Sequence, residues 1–253
     1  EGELSRSGGP GVLGAGTHGL ESHIVAGQDE LNGASPHFGL RGLQGPKTAD
    51  TLASLGLALP GEPFAHAKSP LDGLGEVYVM NNGRYGTAGC DLYISTGHLG
   101  EAAERLAKAV EGQGGRLAGW QATEIARVEA GIPRFGIDMG NNTLPPEANL
   151  ETRAISYTKG CYIGQEIIAR IRTYGRVNRT LVGYRPDADL APGTQLTDDS
   201  GKTVGTLTSV IDSPRFGPIA LGLAKRGSET PGQVLTAREP AQGQATVAEI
   251  PFR

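Results

Sequence analysis

Lys159, Cys161, Tyr162 and Glu166 place an amine, a thiol, a phenol and a carboxylate within the eight positions 159–166. Gly160 and Gly164 interrupt this stretch, and Ile167, Ile168 and Ile171 follow at helical spacing. The pattern predicts a loop that feeds a helix, with Cys161 just ahead of the helix N-terminus. The unpaired N–H groups and partial positive charge at such an end favour thiolate over thiol, and a nearby ammonium adds to the effect. Lys159 is two residues from Cys161, so a turn through Gly160 can bring them together. The chemistry would be that of a reactive or redox-sensitive thiol. The same spacing fits a buried structural cysteine with Lys159 in solvent, because free cysteines are commonly buried.

Glu129 is the second candidate. A helix is predicted over 121–130, and Gly131-Ile132-Pro133 stops it. A carboxylate at its end, beside apolar neighbours, can accept two parallel hydrogen bonds from a planar N–H pair. It fits a helix-terminal glutamate in water equally well. Trp120, the only tryptophan, can stack on a flat ligand or fill a core. Asp138 and Glu147 lie in a loop rich in Gly, Asn and Pro, as liners of a cavity or as turn residues. Arg170, Arg172, Arg176 and Arg179 cluster around Tyr174. Arginine forks suit carboxylates, so the cluster reads as an anion site, a weak RNA contact, or solvated surface. His18, His23 and His37 lack metal-ligand spacing and read as loop residues, so no metal site is predicted.

The elements that must position these residues follow from pattern. A short helix opens near Pro46, with Leu52, Leu55 and Leu59 inward. Strands are predicted over 76–80 and 85–94, the second holding Cys90 as a packing residue, with 61–75 as loop. An amphipathic helix is predicted over 98–113, with Leu99, Ala102, Ala103, Leu106 and Val110 on one face. From about Asn178 the pattern becomes short alternating strands with hairpin turns such as Asp198-Asp199-Ser200-Gly201, which predicts a small antiparallel barrel. The fold class is α+β.

Composition bounds the function. The chain has 253 residues, 40 Gly, 16 Pro and a formal net charge of -4, so it carries no global basic field and nucleic acid is not an expected partner. The two cysteines, Cys90 and Cys161, form no disulfide framework or zinc spacing, which suits a reducing, cytoplasmic compartment. No apolar run is long enough for a membrane span, and no dinucleotide-binding glycine pattern follows a strand.

Lys159-Gly160-Cys161-Tyr162 and Gly164-Gln165-Glu166 resemble the K-G-C-Y-x-G-Q-E signature of the YgfZ family of folate-binding proteins, relatives of the glycine-cleavage aminomethyltransferase. Val128 to Pro133 and Leu144 to Ala148 resemble two further blocks of that family, in its order and spacing. The resemblance covers roughly residues 45–253. It implies an antiparallel sheet plus helices around a central folate channel, then the barrel. The domains expected are a glycine-rich segment 1–44, the remnant of a truncated domain; a folate-binding region 45–176; and the barrel 177–253. The implied cofactor is tetrahydrofolate or a folate derivative. Glu129 would hold the pterin, Arg176 the glutamate tail, and Trp120 contributes as the aromatic of the site. Cys161 would be the working group, Lys159 would depress its pKa or orient it, and Gln165 and Glu166 would fix the loop, supported by Tyr162 and Gly164. The implied role is support of iron–sulfur cluster assembly or repair, with an effect on tRNA modification and iron–sulfur proteins or assembly machinery as partners. Two alternatives stand beside it. One is an aminomethyltransferase of the glycine-cleavage type, whose catalytic aspartate has no visible counterpart here. The other is a folate-binding scaffold in which Cys161 only packs.

Overall fold

A computed structural model describes residues 33–175, 177–238 and 242–253. His18, His23, Arg176 and most of the 1–44 segment fall outside the described residues. The chain forms two compact units, which divide after Leu117.

The first unit contains an antiparallel four-stranded sheet in the order β1-β4-β3-β2. Its strands are β1 (Phe38–Gln44), β2 (His66–Leu71), β3 (Gly75–Asn81) and β4 (Gly89–Ser95). Helices α1 (Thr48–Ser54) and α2 (Leu99–Gly112) supply Leu52, Ala102 and Leu106 to a core with Val77, Val79, Leu92 and Ile94. Cys90 is fully buried in that core, and burial pushes its thiol pKa up to about 12. Two strands were unforeseen. Both β1 and β2 are edge strands, and β2 carries Pro70, a residue a central strand would exclude.

The second unit is built on a closed barrel, β10-β5-β8-β7-β6-β9. Its strands are β5 (Arg179–Pro186), β6 (Gln195–Thr197), β7 (Thr203–Ser213), β8 (Gly217–Lys225), β9 (Val234–Arg238) and β10 (Gly243–Ala248). Alternation sorts the side chains. Val182, Tyr184, Ala220 and Ala224 join one core cluster, while Leu181, Ile219 and Leu221 join another with Val128 and Phe252. Val128 belongs to α3 (Trp120–Glu129), so this helix packs on the barrel. That shared cluster places α3 in the same compact unit as the barrel. The helices α4 (Glu151–Ala154) and α5 (Gln165–Tyr174) complete the unit. No described helix is long and apolar enough to cross a membrane.

Tyr184 fills its cluster at the expense of a hydrogen bond. Its hydroxyl is buried without a partner, and burial raises its pKa. Ideal Cβ atoms at Gly205 and Gly222 would sit 2.9 and 3.0 Å from the Tyr184 side chain, so both glycines make room for it. Tyr184→Phe is therefore expected to leave thermal stability unchanged or raise it, because it deletes an orphaned polar group without altering shape. A clear loss of melting temperature would show that the hydroxyl has a partner after all.

Candidate functional site

Helix α3 and strand β7 carry the densest polar constellation of the second unit. Arg127 and Asp138 are buried at 6% and 1% exposure. Arg127 Nη1 donates to Asp138 Oδ2 at 2.8 Å, and its Nη2 donates to Ser209 Oγ at 2.7 Å and Glu124 Oε2 at 2.8 Å. Thr208 and Ser209 hydroxyls both donate to Asp138 Oδ1, at 2.5 and 2.7 Å. Neighbouring strand residues normally point to opposite faces. Here the pairing of β7 with β8 shifts register between Leu207 and Ser209, and the bulge lets both hydroxyls reach one oxygen. Arg134 joins through Glu124 Oε1 and lies over the Trp120 ring, 4.9 Å from its centroid.

Glu129 ends α3, and its side chain is 13% exposed. Oε1 accepts the Ser213 hydroxyl at 2.5 Å, and Oε2 lies 3.5 Å from Arg215 Nη1. The negative end of the helix dipole adds to the carboxylate, so the position calls for donors or cations. Each carboxylate oxygen has two acceptor directions, which leaves capacity for a planar N–H pair beside Ser213.

Trp120 and Glu129 are the first and last residues of α3. They lie roughly 13 Å apart along its axis and about half a turn apart around it. One pterin ring does not span that separation, so a folate that met both residues would do so with different parts of the molecule. Trp120 is 70% exposed and serves as a platform for Arg134.

The signature stretch forms the predicted loop before α5. Gly164 caps the helix with φ 84°, a conformation that favours glycine. Tyr162 N–H donates to Gln165 Oε1 at 3.1 Å, so Gln165 ties the loop to the helix. Glu166 instead points outward and pairs with Arg170 at 3.3 Å, both largely exposed. Lys159 Nζ rests 4.9 Å from the Tyr162 ring centroid, a cation–π contact. Cys161 is exposed. With Cys90 sealed in the other unit, a water-soluble alkylating reagent should modify one thiol in the folded protein, at Cys161. Peptide mass spectrometry checks this, with Cys90 labelled only after denaturation.

Among the described residues of the arginine cluster, Arg170, Arg172 and Arg179 each meet a different partner. Arg170 faces Glu166, Arg172 stacks 4.0 Å from the Tyr157 ring centroid, and Arg179 pairs with Glu147 at 3.1 Å. Arg176 lies outside the described residues. Glu147 also accepts the Leu144 N–H at 3.1 Å, closing a short turn. No described group of three or more His, Cys, Asp or Glu could hold a metal ion. Sequence reasoning named Asp138 without its partners, and missed Arg127, Ser213 and Arg215. Ser209 and Ser213 lie 82 and 84 positions from their partners on α3, and nothing local joins them.

Comparison with known proteins adds to the geometry. Residues 18–159 match the GCVT N-terminal domain. A chloroplast protein of Arabidopsis thaliana, named as a candidate transferase, is 32% identical over 213 residues, which are 83% of this chain and 47% of that protein. An aminomethyltransferase of Saccharopolyspora erythraea is 31% identical over 222 residues, 85% of this chain and 59% of its own. The chain thus spans about half the length of these curated relatives. The solved structure of the glycine cleavage system aminomethyltransferase T from Bartonella henselae superposes with a TM-score of 0.77. It covers 96% of this chain and 66% of that one at 24% identity, a likeness of fold.

Proposed function

Because the chain belongs to the GCVT N-terminal domain family, we propose that it binds a tetrahydrofolate, with Glu129 as the carboxylate that holds the pterin. The observation that carries this reading is the state of Glu129. It is nearly buried, sits at a negative helix end, and retains acceptor capacity on both oxygens. A pterin presents two parallel N–H donors on one edge, which is the chemistry such a carboxylate satisfies. When bound, a tetrahydrofolate supplies nitrogen atoms that carry one-carbon units. The protein's part is to accept the N–H pair and hold the ring in one orientation.

Within that reading, Cys161 is the working group of the K-G-C-Y-x-G-Q-E loop, in support of iron–sulfur cluster assembly or repair. Its exposure and the basic, aromatic neighbourhood of Lys159 and Tyr162 support this. One cysteine cannot hold a cluster, so further ligands would come from a partner protein. A second reading, a folate-dependent aminomethyltransferase of the glycine-cleavage type, is favoured by the names of the relatives. Formation of methylenetetrahydrofolate from an aminomethyl donor would move it to first place.

Calorimetry with tetrahydrofolate tests the shared core. Wild type should bind, Glu129→Ala should lose at least tenfold in affinity, and Cys161→Ser should bind as wild type. Binding that survives Glu129→Ala intact would remove the pterin from this helix end.

A further inference from the structure

The tip of the β7–β8 hairpin is wired into the Glu129 carboxylate. Ser213 is 3% exposed, and its hydroxyl uses all of its bonding capacity. It donates its proton to Glu129 Oε1 at 2.5 Å and accepts the N–H groups of Arg215 at 3.0 Å and Phe216 at 3.1 Å. A hydroxyl with both lone pairs held by backbone cannot rotate, so the carboxylate is oriented by the hairpin backbone. The contact at Oε2 is of a different kind. Arg215 Nη1 stands 3.5 Å away, beyond ordinary hydrogen-bond length. Its side chain is 71% exposed and lies over the Phe216 ring, 4.8 Å from the centroid. The guanidinium is therefore parked beside the carboxylate without being locked to it.

A guanidinium and the 2-amino edge of a pterin present the same N–C–N donor pair. Both would address the same edge of Glu129. We propose that Ser213 is a positioning residue that fixes the Glu129 carboxylate, and that Arg215 is an internal competitor which a pterin must displace. The inference rests on the reading of Glu129 as the pterin-binding group. It adds a selection rule: a ligand is retained only when its planar donor pair outbids a tethered guanidinium.

Tetrahydrofolate and tetrahydropterin, which lacks the benzoylglutamate tail, would be titrated anaerobically into wild type, Arg215→Ala, Arg215→Lys and Ser213→Ala. Arg215→Ala should tighten both ligands by about two- to fivefold, since exposed ion pairs are weak competitors. Arg215→Lys, which lacks the fork, should fall between Ala and wild type. Ser213→Ala should weaken both ligands equally, by about tenfold, because Glu129 touches only the head that they share. Weaker or unchanged binding in Arg215→Ala overturns the competitor role and makes Arg215 a ligand contact or a bystander. A Ser213→Ala loss confined to tetrahydrofolate overturns the positioning role. Wild type that binds neither ligand overturns the reading of Glu129 itself, and this inference with it.

Discussion

Asp138→Ala is expected to destabilise the barrel unit by about 3–5 kcal/mol, the range for stripping one partner from a buried charge pair. The Arg127 side chain is 7% exposed and that of Asp138 is fully buried, so neither charge can be rescued by water. Four donors converge on the carboxylate: Arg127 Nη1, the Arg134 N–H, and the hydroxyls of Thr208 and Ser209. Alanine would leave Arg127 with Glu124 as its sole remaining anionic partner and would free the hydroxyls on the β7 bulge. Asp138→Asn keeps the shape but loses the charge and should cost distinctly less. Trp120, the only tryptophan, belongs to the same unit, so its fluorescence during urea denaturation reports the transition. A loss under about 1 kcal/mol would mean that the network is solvated and contributes little. The effect should also reach the ligand, because the network clamps α3 to β7, and these two elements present Glu129 and Ser213.

That clamp marks the limit of what the sequence makes legible. Periodicity over 98–113 and 121–130 comes within a residue of α2 and α3, because each helix reads out one continuous apolar face. The barrel strands are legible for a similar reason: short alternation is punctuated by glycine and aspartate turns. The edge strands β1 and β2 are not, since their partners on a neighbouring strand, and not their own composition, make them strands. The site divides along the same line. Glu129 and Gln165 both come from resemblance to short sequence blocks. Ser213 meets Glu129 across 84 positions, and Thr208 meets Asp138 across 70. No local pattern carries such pairings. The bulge that aims Thr208 and Ser209 is a property of two strands in register, which Thr208-Ser209 alone does not announce.

Gly131→Ala should be the most damaging single-methyl substitution near the candidate site, costing about 2–5 kcal/mol when two separate penalties add. The first is backbone strain. Gly131 has φ 68° and closes α3 by a double turn, its N–H donating to Val128 O at 2.9 Å and the Ile132 N–H to Arg127 O at 2.8 Å. A side chain in this left-handed conformation costs about 1–2 kcal/mol. The second penalty is collision. A Cβ there would lie 2.6 Å from Ile250 Cβ, a branched carbon with no room to retreat toward the helix. Gly164→Ala provides the control. Gly164 has φ 84° with open space around it, so it should show the strain alone. Ile250→Gly, which removes the colliding Cβ, placed on Gly131→Ala should recover part of the collision term, whereas it should only destabilise the wild type. The site makes this more than a packing exercise. The Phe252 N–H caps Glu129 O at 2.9 Å, so moving Ile250 moves the strap that ends α3 at Glu129. Tetrahydrofolate affinity should therefore fall in Gly131→Ala even where the protein is fully folded, and return with Ile250→Gly. If stability recovers in the double variant while affinity stays low, the strap fixes the helix but does not set the carboxylate, and Ser213 alone carries that task.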